Sequence, residues 1–357
     1  MAAPGPGYVA SRWTGNTVTM EMRPKIAVVG AGSWGTALAR LLANAGSPVA
    51  LWAREPEVVD SITRTRENKV FLPGVALPPL LRVTDDLADA LTGAQVLVSA
   101  VPTQHVGDVF AGVADSLVGV EVAVSVSKGI EVETLRTPVD ILGDVLPTSL
   151  AGRVVALSGP SFAREVAIDH PAAVVAAAAS IDDARYVRDL FSTPSFRVYS
   201  SDDIVSVELG GALKNVIAIA AGMSHGLGFS QNSKAALITR GLAEMTRLGV
   251  ARGGDPHTFA GLSGMGDLVL TCSGDLSRNR TVGAAIGRGH TLAEVLGEMN
   301  MVAEGVKTTL AVHRLAAESG VSMPITEQVY LTLYEDKNPA DAVAELMGRA
   351  SRDERDH

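Results

Sequence analysis

A chain of 357 residues is long enough for two domains with separate cores, and 47% hydrophobic residues with a mean hydropathy of +0.23 exclude a largely disordered polypeptide. A formal net charge of −9 and a pI near 5.3 argue against nucleic acid or an anionic membrane as the main partner, while a few basic residues can still form a local pocket for a small anion. The single cysteine, Cys272, precludes an internal disulfide, and the seven scattered histidines show no ligand spacing, so no metal and a cytoplasmic setting are expected.

Residues 1–23 carry no continuous apolar segment of the kind a signal peptide needs; their Gly, Pro, Ser and Thr content reads as a flexible extension, with Met20 and Met22 as alternative starts. From Lys25 to about Ser200, short β-rich runs alternate with helical stretches. The predicted strands are KIAVVG (25–30), PVALWA (48–53), QVLVSAV (95–101), EVAVSVS (121–127), RVVALSG (153–159), AAVVAAA (172–178) and FRVYS (196–200). Continuous apolar strands between helices predict a mostly parallel sheet covered on both faces.

The first strand runs into GAGSWG, which places Gly30, Gly32 and Gly35 in G-x-G-x-x-G spacing between a strand and a helix. Gly30 permits the tight turn, Gly32 lets a pyrophosphate approach the backbone, and Gly35 lets helix and strand pack closely; the helix N-terminus then faces the anion. This predicts a Rossmann-type dinucleotide site. The second strand ends VALWAREPE, with Trp52, Ala53 and Arg54 where a ribose-binding carboxylate would stand. An arginine there suits a 2′-phosphate, so NADP(H) is expected to be accepted; the alternative is a solvated arginine on a loop that also carries Glu55 and Glu57. Further on, SVSKGIE puts Lys128, and LSGPSFARE puts Gly159, Ser161 and Ala163, at carboxyl ends of strands, where open α/β sheets bind ligands.

After about Asp202 the strand signals stop. Helices are predicted at 203–223, 233–249, 256–262, 280–288, 303–319 and 324–335, with Asn232 or Ser233 capping the second and Asp255-Pro256 opening the third. The chain therefore divides into a dinucleotide-binding domain (24–202), an all-helical domain (203–345) and a flexible tail (346–357). The helix DIVSVELGGALKNVIAIAAGM is interrupted by Glu208, Lys214, Asn215 and glycines, which argues against a membrane span. Lys214 lies over Gly210 and Gly211, each about 1 kcal/mol worse than alanine in a helix interior, so they are read as opening a cleft floor beneath one ammonium. The opposite face is apolar as well, leaving no wet side for a snorkelling lysine. Desolvation lowers a lysine's pKa toward neutrality, which suits acid–base work on a hydroxyl or carbonyl.

The glycine-rich stretch GLSGMGDLVLTCSGDLSRNRTVG offers Asp267, then Ser277, Arg278 and Asn279 just before a helix, where backbone amides and the Arg278 fork suit a phosphate. Taken singly, each of these polar residues is equally open to reading as a helix cap or a surface charge.

Taken together, VVGAGSWGTALA, AVPTQHV, SVSKGIE, LSGPSFAREVA, ELGGALKNVIAIAAGM, the Asp267–Asn279 segment, VAEGVKTT and MPITEQVY resemble the bacterial cytosolic NAD(P)-dependent glycerol-3-phosphate dehydrogenases, in order from about residue 25 to 345. The resemblance implies an α/β fold with an N-terminal Rossmann-type, doubly wound, mostly parallel sheet followed by an all-α C-terminal domain, as in 6-phosphogluconate-dehydrogenase-like proteins. It implies reversible hydride transfer between NADP(H) or NAD(H) and a small phosphorylated substrate (dihydroxyacetone phosphate to sn-glycerol 3-phosphate), supplying phospholipid synthesis. It makes Lys214 the proton acceptor or donor. Lys128, Gly159, Ser161, Asp267, Ser277, Arg278 and Asn279 would line the substrate site. Ser33, Trp34, Arg54, Lys128, Ala163, Arg278, Val302 and Glu304 would touch the cofactor. A homodimer is implied as well. Two alternatives remain at this level: a ketopantoate reductase or β-hydroxyacid dehydrogenase of the same architecture, and a non-catalytic NADP-binding regulatory protein.

Overall fold

The computed structural model describes residues 23–298, 303–351 and 353–354. Eight strands form one sheet among these residues: β1 (Ile26–Val29), β2 (Val49–Trp52), β3 (Leu81–Thr84), β4 (Val96–Ser99), β5 (Val122–Ser125), β6 (Val154–Ser158), β7 (Ala172–Ala177) and β8 (Phe196–Ser201). Their order is β3-β2-β1-β4-β5-β6-β7-β8, and every pairing is parallel except β6 with β7. The chain reverses its direction across the sheet at β1, which has β2 on one side and β4 on the other. A crevice opens at such a switch point, beyond the carboxyl ends of the strands. The doubly wound, mostly parallel arrangement agrees with the sequence reading.

Alternate residues of the central strands feed two separate cores. Val28, Val96, Val98, Val122, Val124 and Val155 pack on one face with Leu38 and Leu42, while Ala27, Val29, Leu97, Ala123 and Val154 pack on the other with Phe110 and Leu142. Burial on both faces explains why these strands read as unbroken apolar runs. β3 is the strand the sequence did not announce. It is an edge strand in which Leu81 is buried and Arg82 exposed, so it needs no apolar run to hold its place.

The second half is helical, built around the Ile204–Gly226 helix. By length and composition this helix is apolar enough to cross a membrane, but most of it is buried inside the protein, as a core helix is. Asp203 caps its start by accepting from the Ser206 N–H. Asp255 likewise caps the short Pro256–Phe259 helix, as expected. The expected cap at Asn232 or Ser233 is corrected: that helix begins at Gln231 behind Ser230, whose side chain makes no cap bond. The expected helix at 256–262 divides into Pro256–Phe259 and a π-helical turn at Leu262–Gly266, where a Cβ on Gly264 would stand 2.1 Å from the Phe259 carbonyl oxygen. Helices at Asp267–Ser273, Leu292–Glu298 and Pro339–Met347 were not predicted; the last carries the helical region to Met347, two residues past the expected limit of 345.

The core helix crosses the Arg278–Gly287 helix at backbone contact. A Cβ on Gly283 would stand 2.0 Å from the Ile219 carbonyl oxygen, and one on Gly222 would stand 2.2 Å from that of Arg280. No side chain can yield at these points, so the two helices would have to separate. Gly283→Ala is therefore expected to destabilise the fold by at least about 2 kcal/mol in denaturant unfolding. Gly297→Ala, on an exposed helix with nothing near its would-be Cβ, is expected to stabilise by up to about 1 kcal/mol.

Candidate active site

A cleft of about 730 Å³ runs from the carboxyl ends of β1, β2, β4 and β5 to the face of the helical domain. Its nucleotide end is shaped by the three motif glycines. Gly30 has φ +112°, and a Cβ there would meet the Ala100 carbonyl oxygen at 2.7 Å; a Cβ on Gly35 would meet the Gly30 carbonyl oxygen at 1.9 Å. Gly32, in contrast, faces open space. The Ser33–Asn44 helix starts directly behind it, so the positive end of the helix dipole faces this part of the cleft. These observations fit a dinucleotide pyrophosphate.

Ser33, Trp34, Arg54, Lys128, Ala163, Arg278 and Glu304 all line the cleft. The Ser33 hydroxyl donates to the Phe71 carbonyl at 2.7 Å, so it also ties the helix start to the neighbouring loop. The Trp34 indole N–H is buried without a partner among the described residues, and its ring packs 6.4 Å from Phe196. Val302 lies outside the described residues.

The chemical end is organised by one carboxylate. Asp267 opens the Asp267–Ser273 helix, is 1% exposed, and lies between two ammonium groups. Lys214 Nζ donates to its Oδ1 at 2.9 Å and Lys128 Nζ to its Oδ2 at 2.8 Å. Lys214 Nζ also donates to Thr271 Oγ1 at 2.8 Å, and Lys128 Nζ to the Gly159 carbonyl at 3.0 Å. Each ammonium thus has two of its three N–H bonds directed by protein, leaving one for the cleft that both side chains line.

Burial pushes the Lys214 pKa down to about 8 against the pull of Asp267, with Lys128 adding to the lowering. Burial alone would raise Asp267, but the two ammoniums outweigh it and hold the carboxyl below its ordinary range. Cys272, nearby, has its thiol pushed up to about 12 by burial, which makes it unreactive at neutral pH.

Gly210 and Gly211 correct the sequence reading. They do not open a cleft floor: a Cβ on Gly210 would meet the Ser263 carbonyl at 2.7 Å, and one on Gly211 would meet Ser158 Oγ at 2.7 Å and Lys128 Cγ at 3.5 Å. The space is filled by the π-helical turn on one side and by the end of β6 with the Lys128 stem on the other. The glycines therefore let the π-helical turn, the end of β6 and the Lys128 stem approach the core helix.

Gly159 does not line the cleft, and it acts through its carbonyl, which accepts from both Lys128 and Ser161 Oγ at 3.0 Å. Its φ of +143° and a would-be Cβ 2.8 Å from Val174 Cα leave room for glycine alone.

Ser277, Arg278 and Asn279 line the far wall. Ser277 caps the Arg278–Gly287 helix, accepting from the Arg280 N–H at 3.3 Å, so Arg278 and Asn279 stand in its first turn. Asn279 Oδ1 accepts from the Gly305 N–H at 3.0 Å, which fixes the amide and turns its NH₂ group toward other acceptors. No carboxylate among the described residues forms an ion pair with Arg278. Next to Gly305, Glu304 accepts at Oε1 from the Thr103 N–H at 3.2 Å and its hydroxyl at 3.4 Å, joining the helical domain to the loop after β4; burial raises its carboxyl.

Thr271 and Glu55, which line this cleft, and Thr103, which holds Glu304 beside it, had no functional role in the sequence reading. Thr271 was within reach, since it follows Asp267 by one helical turn, while Thr103 and Glu55 acquire meaning only from the tertiary fold. Among the described residues no cluster of three or more His, Cys, Asp or Glu side chains gathers to hold a metal.

Comparison with known proteins gives a consistent result. Residues 25–184 match the family model described as NAD-dependent glycerol-3-phosphate dehydrogenase N-terminus, and residues 203–344 match the corresponding C-terminus. A protein from Citrifermentans bemidjiense named glycerol-3-phosphate dehydrogenase [NAD(P)+] is 58% identical over 328 residues, covering 92% of this chain and 98% of that protein. One of the same name from Geobacter metallireducens is 58% identical over 334 residues, covering 94% and 100%. The crystal structure of glycerol-3-phosphate dehydrogenase from Coxiella burnetii superposes with a TM-score of 0.87 at 37% identity, covering 92% of this chain and 100% of that one.

The shared carboxylate makes a direct prediction. Because the Asp267 charge raises the Lys214 pKa, Asp267→Asn should move the Lys214 titration at least about one unit below its native position. The ¹³Cε shift of labelled lysine, followed by NMR against pH, reports it; an unchanged or higher midpoint contradicts the pairing.

Proposed function

The chain belongs to the NAD-dependent glycerol-3-phosphate dehydrogenase family, and on that footing we propose that it interconverts dihydroxyacetone phosphate and sn-glycerol 3-phosphate, with Lys214 as proton donor in the reducing direction and acceptor in the oxidising one. As a member of this family it is an NAD(P)-dependent oxidoreductase. That membership leaves the ketopantoate reductase, β-hydroxyacid dehydrogenase and non-catalytic readings without support. The observation that carries the proposal is the buried Lys214–Asp267–Lys128 arrangement, set between a dinucleotide cradle and Arg278 in a helix first turn.

The nicotinamide supplies the hydride in reduction and accepts it in oxidation. The protein's part is to hold the substrate and manage one proton. As the carbonyl oxygen gains negative charge, the Lys214 ammonium donates its proton to it, and the Lys128 ammonium stabilises the charge from across Asp267. A Lys214 pKa of about 8 lets the lysine give that proton and take it back near neutral pH. Asp267, held ionised, keeps both lysines in place and takes no proton itself. Its near-complete burial, with that of Lys214 at 7% exposure, strengthens the electrostatic interactions among the three groups.

At the other end, the Arg278 guanidinium, the Asn279 NH₂ group and the first-turn N–H groups of the Arg278–Gly287 helix receive the phosphate. Asn215, buried beside Lys214 and lining the same cleft, is placed to orient the substrate hydroxyl. In the cell this reaction would supply the glycerol phosphate backbone of phospholipids from triose phosphate, in the cytoplasm and as a homodimer.

Lys214→Ala is expected to lower kcat for dihydroxyacetone phosphate reduction by about 10²–10⁴-fold while NADPH still binds; near-native turnover would remove Lys214 from the chemistry. Arg278→Ala is expected to raise the KM for dihydroxyacetone phosphate at least about tenfold, more than it changes kcat. An unaltered KM would place the phosphate elsewhere.

A further inference from the structure

Two side chains of opposite charge stand together where β2 ends. Arg54 Nη2 lies 3.1 Å from Glu55 Oε1, with the arginine side chain 73% exposed and the glutamate 30%. Both line the cleft that contains Gly30, Gly32 and Trp52. Glu55 occupies the position before the Pro56–Thr65 helix, yet its side chain makes no cap bond, and Pro56 offers no N–H. The carboxylate is therefore left to Arg54 and to whatever enters the cleft.

Its place in the fold is informative. In dinucleotide folds a carboxylate about 20 residues beyond the glycine motif accepts the adenosine ribose hydroxyls of NAD, whereas an arginine there pairs with the 2′-phosphate of NADP. Here the chain carries both, adjacent and in contact. An ionised carboxylate only accepts hydrogen bonds, so it suits the ribose diol and repels a 2′-phosphate dianion; the guanidinium only donates, so its preference is the reverse.

We propose that Glu55 is a specificity-determining residue for the nucleotide, accepting the adenosine ribose hydroxyls of NAD(H) and opposing the 2′-phosphate of NADP(H), with Arg54 as its counterpart for the phosphate. The ion pair is the resting arrangement. NAD(H) leaves it in place and adds hydroxyl donors to Glu55. NADP(H) draws Arg54 onto the 2′-phosphate and leaves Glu55 facing a like charge. The ratio of the two affinities is thus set by two neighbouring residues of opposite effect. The inference rests on the cofactor reading given above and assigns the part of that site that discriminates between the two nucleotides.

The test is the dissociation constant of the full-length protein for NADH and for NADPH, by titration calorimetry without substrate. Glu55→Gln is expected to weaken NADH and tighten NADPH, moving the affinity ratio toward NADPH by about tenfold, the scale of one charge-assisted contact. Arg54→Ala is expected to move the ratio toward NADH by a similar factor. Both positions are on the surface, and a matching unfolding temperature confirms that each variant is folded. A Glu55→Gln ratio within about twofold of the native value, or shifted toward NADH, overturns the inference. A native protein that binds both nucleotides but does not turn over dihydroxyacetone phosphate overturns the functional reading instead, whatever the ratios do.

Discussion

A single buried carboxylate lies between two ammonium groups, and much of the molecule is arranged to bring those three side chains together. Asp267 reaches Lys214 across 53 residues of sequence and Lys128 across 139. Two lysines this close repel each other, and neither would keep a defined place in a buried cleft without a negative charge between them. Asp267 compensates part of that repulsion and retains its own charge in return. Burial still prevails at Lys214, whose pKa settles near 8. The result is a lysine at once fixed in position and ready to exchange a proton. Thr271 completes the arrangement by accepting from Lys214 while donating to the Asp267 carbonyl one turn earlier on its own helix.

The fold converges on this point from two sides. The parallel sheet delivers Lys128 beyond the end of β5 and the glycine cradle beyond the end of β1, since residues following parallel strands emerge on one edge of the sheet. The helical domain delivers Lys214 from the middle of a helix buried on all sides, where rotation is prevented by packing. The interface between them is closed at Gly211, where a Cβ would meet Ser158 Oγ and the Lys128 stem, and by the Thr103–Glu304 hydrogen bonds. Each domain thus contributes part of the charged cluster that lines the cleft, Lys128 from one and Lys214 with Asp267 from the other.

Much of this was legible in the sequence for reasons that can be stated. The strands buried on both faces announced themselves as apolar runs, and the glycine motif followed a strand and preceded a helix. Lys214 stood out because an apolar helix gives a lysine no exposed face. β3 escaped notice because an edge strand with Arg82 turned to solvent lacks the apolar pattern. At Gly210 and Gly211 the sequence shows that a Cβ is missing, and only the tertiary structure shows what occupies its place. The pairing of Asp267 with both lysines was likewise out of reach, because contacts spanning such separations leave no local pattern. In the sequence Glu55 reads as a loop charge beside Arg54, whereas in the fold it lines the cleft.

The central claim is that Lys214 carries the reaction's proton with its pKa set near 8 by burial against Asp267 and Lys128. The most direct measurement is kcat as a function of pH in both directions, from about pH 6 to 10. Reduction needs the ammonium and oxidation needs the free amine. The account predicts that kcat for ketone reduction falls, and kcat for alcohol oxidation rises, each through one ionisation near pH 8. Profiles that move in the same direction, or that show no ionisation between about pH 7 and 9, would contradict it.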